Sequence, residues 1–212
     1  MELIKNFQET VNYENYKEDY LLSLNDLTYA NHEEYQGQLN MYDFVLQKHN
    51  YNNLSIFTLG LLHKRLYKFY NSNVDYSYRT APSYLQDLDI DLLDYRKITS
   101  YLNNDLNKRA MDLFKKEIND IELYIEEVIK LSVDIFRCHP FMDGNKRITQ
   151  AFMNIYFSKA KLPMLNINLN EKREEYIEAL RNAINFKDYS SINEFYIKEL
   201  ENSTNLNKNK VK

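Results

Sequence analysis

The sequence predicts a mostly α-helical domain with one short β-hairpin. Over most of the chain, apolar residues recur three or four positions apart, the spacing of a helix with one buried face. Only one stretch, with Tyr76, Tyr78 and Thr80, alternates with period two, as a half-buried strand does. At 212 residues the chain is long enough for a single domain with a substantial core.

The elements follow in order. Residues 1–25 read as a polar helix or a partly ordered arm. A helix spans 39–49 on Leu39, Tyr42, Phe44, Val45 and Leu46, and Asn50 to Asn53 ends it. Helical spacing returns over 54–70 through Ile56, Leu59, Leu62, Leu66 and Phe69. The hairpin occupies 76–86, and residues 89–116 form a helix in two pieces broken near 103–107. The clearest helix runs from Asn119 to Arg137, with Ile121, Ile125, Val128, Leu131, Ser132 and Ile135 on one face. Pro140 ends it by biasing His139 away from helical backbone. The next helix starts near Asn145 and runs to about Lys161, before Pro163. Asn170 caps a helix to Phe186 with Glu171 in its first turn, and a last helix covers 189–201. The domain division is a helical extension over 1–54, a catalytic domain over 55–201 and a disordered tail over 202–212.

Composition removes several function classes. The net charge of −4 gives no basic field to recruit nucleic acid or a membrane surface. The single cysteine, Cys138, excludes an internal disulfide and suits a reducing cytosol, where it reads as a small buried side chain. No apolar run approaches the ~18 residues of a membrane span, and the polar N-terminus is unlike a signal peptide. The expected compartment is cytoplasmic. His32 and His49 have no partners at ligand spacing, so no zinc site is expected. His63, beside Lys64 and Arg65, reads as a polar helix-surface residue.

The chemistry concentrates in His139–Arg147, HPFMDGNKR. A short turn feeding a helix leaves backbone N–H groups unpaired and positive, a ready site for phosphate. Lys146 and Arg147 fall in the first turn, where the dipole disfavours cations, which suggests an anionic ligand nearby. Asp143 has the chemistry to hold a divalent cation on that ligand, and His139 that of a general base. Phe141 reads as the apolar anchor of the loop. The same string also fits a plain capped turn, with Asp143 or Asn145 as N-cap.

HPFMDGNKR resembles the signature of the Fic (Fido) family, HPFx[DE]GNGRxxR. It matches at His139, Pro140, Phe141, Asp143, Gly144, Asn145 and Arg147. It departs at Lys146, where the family has Gly, and at Gln150, where it has a second Arg. LLHKRLY (Leu61 to Tyr67) is similar to the helix ahead of the family's flap, and DYSYRT (Asp75 to Thr80) to the start of that flap. YIEALRNAI and DYSSINEFY resemble its closing helices, so the likeness covers roughly residues 55–200.

The resemblance implies a Fic-type helical bundle with a β-hairpin flap next to the active-site loop. It implies an enzyme with ATP as co-substrate and Mg²⁺ as cofactor, acting on a target protein's Ser, Thr or Tyr hydroxyl. His139 would take the hydroxyl proton and Asp143 would hold Mg²⁺. Gly144, Asn145 and Lys146 would offer backbone N–H donors, and Arg147 would pair with phosphate oxygens. Tyr78, Arg79 and Thr80 on the flap would hold the target in extended form by β-augmentation.

The length and the HPF opening favour AMP transfer from the α-phosphate. Lys146 and Gln150 resemble the Doc branch, which implies γ-phosphate transfer, so a kinase-like toxin stays open. A catalytically silent binding module is the third reading, against which the intact His139 and Asp143 argue. Many Fic proteins carry an inhibitory [ST]xxxE[GN] segment whose Glu pairs with the second Arg. Its candidates here are Glu33 or Glu34, within Thr28 to Gly37, and Glu194 four residues after Ser190. The Ser190–Glu194 spacing reads better as ordinary capping. Without an Arg at position 150, an inhibitory Glu has no partner by this reading. An antitoxin partner and a homo-oligomer remain open.

Overall fold

A computed structural model describes residues 1–27, 29–47, 54–70, 77–83, 85, 89–167 and 172–204. Its first helices are α1 (Glu2–Thr10) and α2 (Tyr13–Ser23). Where the sequence suggests a polar helix or a loose arm, both are docked, with Ile4, Phe7, Tyr16 and Tyr20 buried. Tyrosine accounts for the difference. The rings pack inward while the hydroxyls satisfy the backbone of 162–165. Tyr13 donates to the Leu162 carbonyl at 3.0 Å and Tyr20 to that of Leu165 at 2.6 Å, while Tyr16 accepts from the Met164 N–H at 2.7 Å.

Helix α3 (His32–Gln47) begins well before the predicted start at residue 39. Its polar first turns carry a reciprocal cap. The Glu34 N–H donates to Asn31 Oδ1 at 2.8 Å, and Glu34 Oε2 accepts from the Ala30 N–H at 2.7 Å. Next comes α4 (Thr58–Leu66). Gly37 lets α3 lie directly on the end of α4: a Cβ there would stand 1.9 Å from the Leu66 carbonyl oxygen.

No strand occurs among the described residues. The predicted hairpin, 76–86, is described only at 77–83 and 85, and these form no ladder. Their backbone serves another element. The Arg79 N–H donates to the Pro140 carbonyl at 2.8 Å, which fastens the segment beside the His139 loop.

The short α5 (Ile98–Tyr101) and α6 (Asn107–Lys115) are joined by a π-helical turn, Leu102–Leu106. The predicted break near 103–107 is that turn, which keeps Leu102 and Leu106 both buried. Asp120 caps α7 (Ile121–Cys138) by accepting from the Glu122 and Leu123 N–H groups. After the loop come α8 (Asn145–Lys159), α9 (Arg173–Arg181) and α10 (Ser190–Ser203). The predicted cap at Asn170 and Glu171 lies outside the described residues, as does His49. Ser190 is the first residue of α10 and not its cap, and its N–H donates to Asp188 Oδ1 at 3.0 Å. Asn202 and Ser203, read as tail, continue that helix, and 205–212 lie outside the described residues.

Helix α8 is central, packed against α7, α4 and α3. The segment read as an N-terminal extension therefore contributes to the same core. Among the described residues no helix is long and apolar enough to cross a membrane.

Candidate active site

Helix α7 delivers His139 to the start of the loop. His139 takes the left-handed conformation, φ 45°, ψ 59°, rather than the extended one that a following Pro favours. For a residue with a Cβ this costs on the order of 1 kcal/mol, and the surroundings must hold it. Arg79 does so. Its Nε donates to the His139 carbonyl at 2.7 Å, and its terminal nitrogens donate to Leu93 at 2.6 Å, Ala81 at 2.9 Å and Cys138 at 3.5 Å. The side chain read as a docking residue is therefore turned inward and buried. Beside it Tyr78 packs on Phe141, and Thr80 is exposed.

Phe141 is fully buried and stacks on His63, with ring centroids 4.2 Å apart. His63 is thus a core residue, 2% exposed, and not the surface residue its charged neighbours suggest. Asn145 closes the loop. Its Oδ1 accepts from the Phe141 N–H at 2.9 Å and its Nδ2 donates to the Phe141 carbonyl at 2.7 Å. Gly144 precedes α8 with φ 81°, and a Cβ there would crowd the Tyr67 ring at 3.0 Å. No side chain caps α8. The N–H groups of its first turn therefore face the loop without intrahelical partners. The Gly144 N–H itself is taken by Asp143 Oδ1 at 2.6 Å.

Asp143, Tyr67, Arg147 and Glu34 form one chain of polar contacts. Tyr67 donates to Asp143 Oδ2 at 2.5 Å and accepts from Arg147 at 3.0 Å, and the other end of Arg147 pairs with Glu34 Oε1. Burial works against the Asp143 carboxylate. The Tyr67 and Gly144 hydrogen bonds and the Arg147 charge outweigh it and leave its pKa below the usual value. Arg147 behaves likewise: burial disfavours its charge, and Tyr67, Asp143 and Glu34 more than restore it. Of the acidic residues considered as inhibitory, Glu34 therefore meets Arg147 and not residue 150. Glu33 and Glu194 do not line the site, and Glu194 is exposed on α10.

These groups surround a cavity of about 590 Å³. His139, Asp143, Gly144, Asn145, Lys146 and Arg147 all line it, with Glu34 opposite them. His139 is 7% exposed, and among the described residues its Nδ1 has no partner in good hydrogen-bond geometry, the Phe136 carbonyl being the backbone group that acts on the ring. Burial first, and the Arg79 charge second, push its pKa down to about 4, so the imidazole is unprotonated at neutral pH. Lys146 is also pressed down, by burial and by the charges of Arg147 and Arg173. Gln150 turns aside and donates to the Leu165 carbonyl at 3.1 Å. Tyr67 and Arg173 join the site without any local signal in the sequence for their roles. Tyr67 closes the LLHKRLY string, so its position was in view, but nothing local says that its hydroxyl meets Asp143. Among the described residues no three His, Cys, Asp or Glu gather for a metal. Asp143 alone fits Mg²⁺, which takes one or two carboxylates and completes its shell with phosphate oxygens and water.

The chain is similar in structure to Fic-1 from C. elegans, with a TM-score of 0.69 and 17% identity over 96% of this chain and 67% of that one. It is equally similar to a Fic domain containing signaling protein from Bacteroides thetaiotaomicron. There the TM-score is 0.69 and the identity 18%, over 94% of this chain and 81% of that one. A Glu-to-Gly variant of the C. elegans protein gives a TM-score of 0.63 at 19% identity, over 88% of this chain and 55% of that one. No curated protein matches the chain. The likeness in structure establishes the fold. The profile of the Fic/DOC family matches residues 15–157, from α2 through most of α8 and across the whole His139 loop. On that match, the chain belongs to the Fic/DOC family.

Proposed function

We propose that this protein is an adenylyltransferase that moves AMP from ATP to a Ser, Thr or Tyr hydroxyl of a target protein. One observation carries the reading: a buried neutral His139 shares a cavity with an uncapped helix N-terminus, the carboxylates of Asp143 and Glu34 and the cations of Lys146, Arg147 and Arg173. A Mg²⁺ ion held by Asp143 would neutralise charge on the phosphates when bound. His139 accepts the proton of the attacking hydroxyl. The hydroxyl oxygen bonds to the α-phosphorus, the bond to the bridging oxygen breaks, and pyrophosphate leaves. The backbone N–H groups of Asn145, Lys146 and Arg147 face the charge that develops, and positioning with charge neutralisation does most of the work. The segment at 77–83, beside His139, is where the target would dock.

Lys146 and the side-turned Gln150 favour a second reading, γ-phosphate transfer in the manner of the Doc branch. Glu34 adds regulation to either. While it holds Arg147, that guanidinium is not free for phosphate, and we read α3 as an inhibitory element. Intact-mass measurement after incubation with ATP and Mg²⁺, on the protein and on candidate targets, separates the readings. A gain of one AMP supports the first and a gain of one phosphate the second. No change with either wild type or Glu34→Gln would discard both.

A further inference from the structure

Two cations in the cavity have no counter-charge among the described residues. Lys146 is the second residue of α8 and Arg173 the first of α9. Both positions are helix starts, where the dipole disfavours a cation. Their chain neighbours are neutralised, Arg147 by Glu34 and Lys172 by Glu199. Among the described residues neither Lys146 nor Arg173 makes an ion pair or a hydrogen bond. Yet they are close enough to repel: the Arg173 charge helps to press the Lys146 ammonium down. Lys146 is half-buried and Arg173 is exposed at the same cavity, and two unpaired cations side by side at two helix starts repel each other unless an anion joins them. His139, buried and with an unpartnered Nδ1, lines the same cavity.

We propose that Lys146 and Arg173 form a second phosphate subsite, which holds the terminal phosphates of a nucleoside triphosphate. This rests on the nucleotide reading above and deepens it. The first phosphate lies against the α8 N-terminus near His139. The rest of the polyphosphate extends to Lys146 and Arg173, which do from α8 and α9 what Gln150, an uncharged side chain bonded to Leu165, does not. Affinity then rises with the number of phosphates, and Arg173 is the residue that makes it rise. Arg173 is exposed, so its replacement leaves the core untouched.

The test is calorimetric binding of AMP, ADP, ATP and inorganic triphosphate at low salt. The proteins are wild type, Arg173→Gln and Lys146→Met, with thermal melts to confirm folding. Wild type should bind ATP more tightly than AMP. Arg173→Gln should lose roughly tenfold in ATP and triphosphate affinity, as for one charge-assisted contact, with AMP affinity unchanged. Lys146→Met should act in the same direction. If ATP binds and Arg173→Gln weakens AMP and ATP equally, or neither, the subsite is wrong and the nucleotide reading stands. If triphosphate binding depends on Arg173 while no nucleotide binds, the subsite stands and the nucleotide reading falls. If none of the four ligands binds wild type, both fall.

Discussion

Arg79 and His139 meet backbone to side chain: the guanidinium Nε donates to the histidine carbonyl at 2.7 Å and so holds the one strained residue of the active-site loop. The same guanidinium reaches three more carbonyls, and no carboxylate pairs with it among the described residues. Arg79 is thus a fastener between the 77–83 segment, residue 93 and the end of α7.

Removing that fastener should be expensive. Arg79→Met strips donors from several buried carbonyls and should destabilise the fold by about 3 kcal/mol in urea unfolding. Arg79→Lys should recover only part, because a single ammonium cannot span a fork of acceptors. A loss under about 1 kcal/mol for Met would show that those carbonyls find other partners.

His139 gives a pH signature. Its pKa is about 4 in the fold, pushed there by burial first and by the Arg79 charge, against about 6.5 in an unfolded chain. Between these values the unfolded chain carries a proton that the native state refuses. Stability should therefore fall as pH drops from about 6.5 to about 4, by on the order of 3 kcal/mol, and this contribution should level off below. His139→Gln should lack that part of the decline. Identical pH–stability curves for the two proteins would refute the assignment.

Glu34→Gln should release Arg147 without changing the shape of α3. Nucleotide binding and transfer should rise together, by roughly tenfold if one partly buried ion pair is the barrier. Its neighbour Glu33→Gln should have no such effect. A Glu34→Gln protein no more active than wild type would leave the pair as a structural contact only.

Lys146 should bias which phosphate is attacked. Lys146→Gly keeps the backbone donor and removes the bulk and charge, at a helix cost below about 1 kcal/mol so near the start. Paired labelling with α- and γ-³²P ATP should then show more AMP transfer and less phosphate transfer. Equal label ratios in both proteins would mean that Lys146 does not orient the nucleotide.

The loop was legible because its chemistry is local. His139 through Arg147 are contiguous, and a Pro–Gly turn between two amphipathic helices places His139 and the stretch from Met142 to Arg147 on one cavity. What escaped the sequence depends on distant partners. Tyr67 and Asp143 are 76 positions apart, and Glu34 and Arg147 are 113 apart. Nothing in the polar start of α3 announces that Glu34 caps its own helix with one oxygen and takes Arg147 with the other. Arg79 misled for a related reason. A cation in an alternating segment reads as exposed, and only the fold shows it surrounded by carbonyls.

Gly37 gives the Glu34 contact its character. It lies one turn along α3 from Glu34, with the Leu66 carbonyl oxygen where a side chain would begin. The two backbones are already touching, so α3 cannot edge closer to α4 or be padded away without moving Leu66 and the adjoining Tyr67. Small adjustments of the helix are closed off. Release of Arg147 is therefore expected to come from a swing of the Glu34 carboxylate with α3 in place, because a shift of the helix would have to carry Leu66 with it.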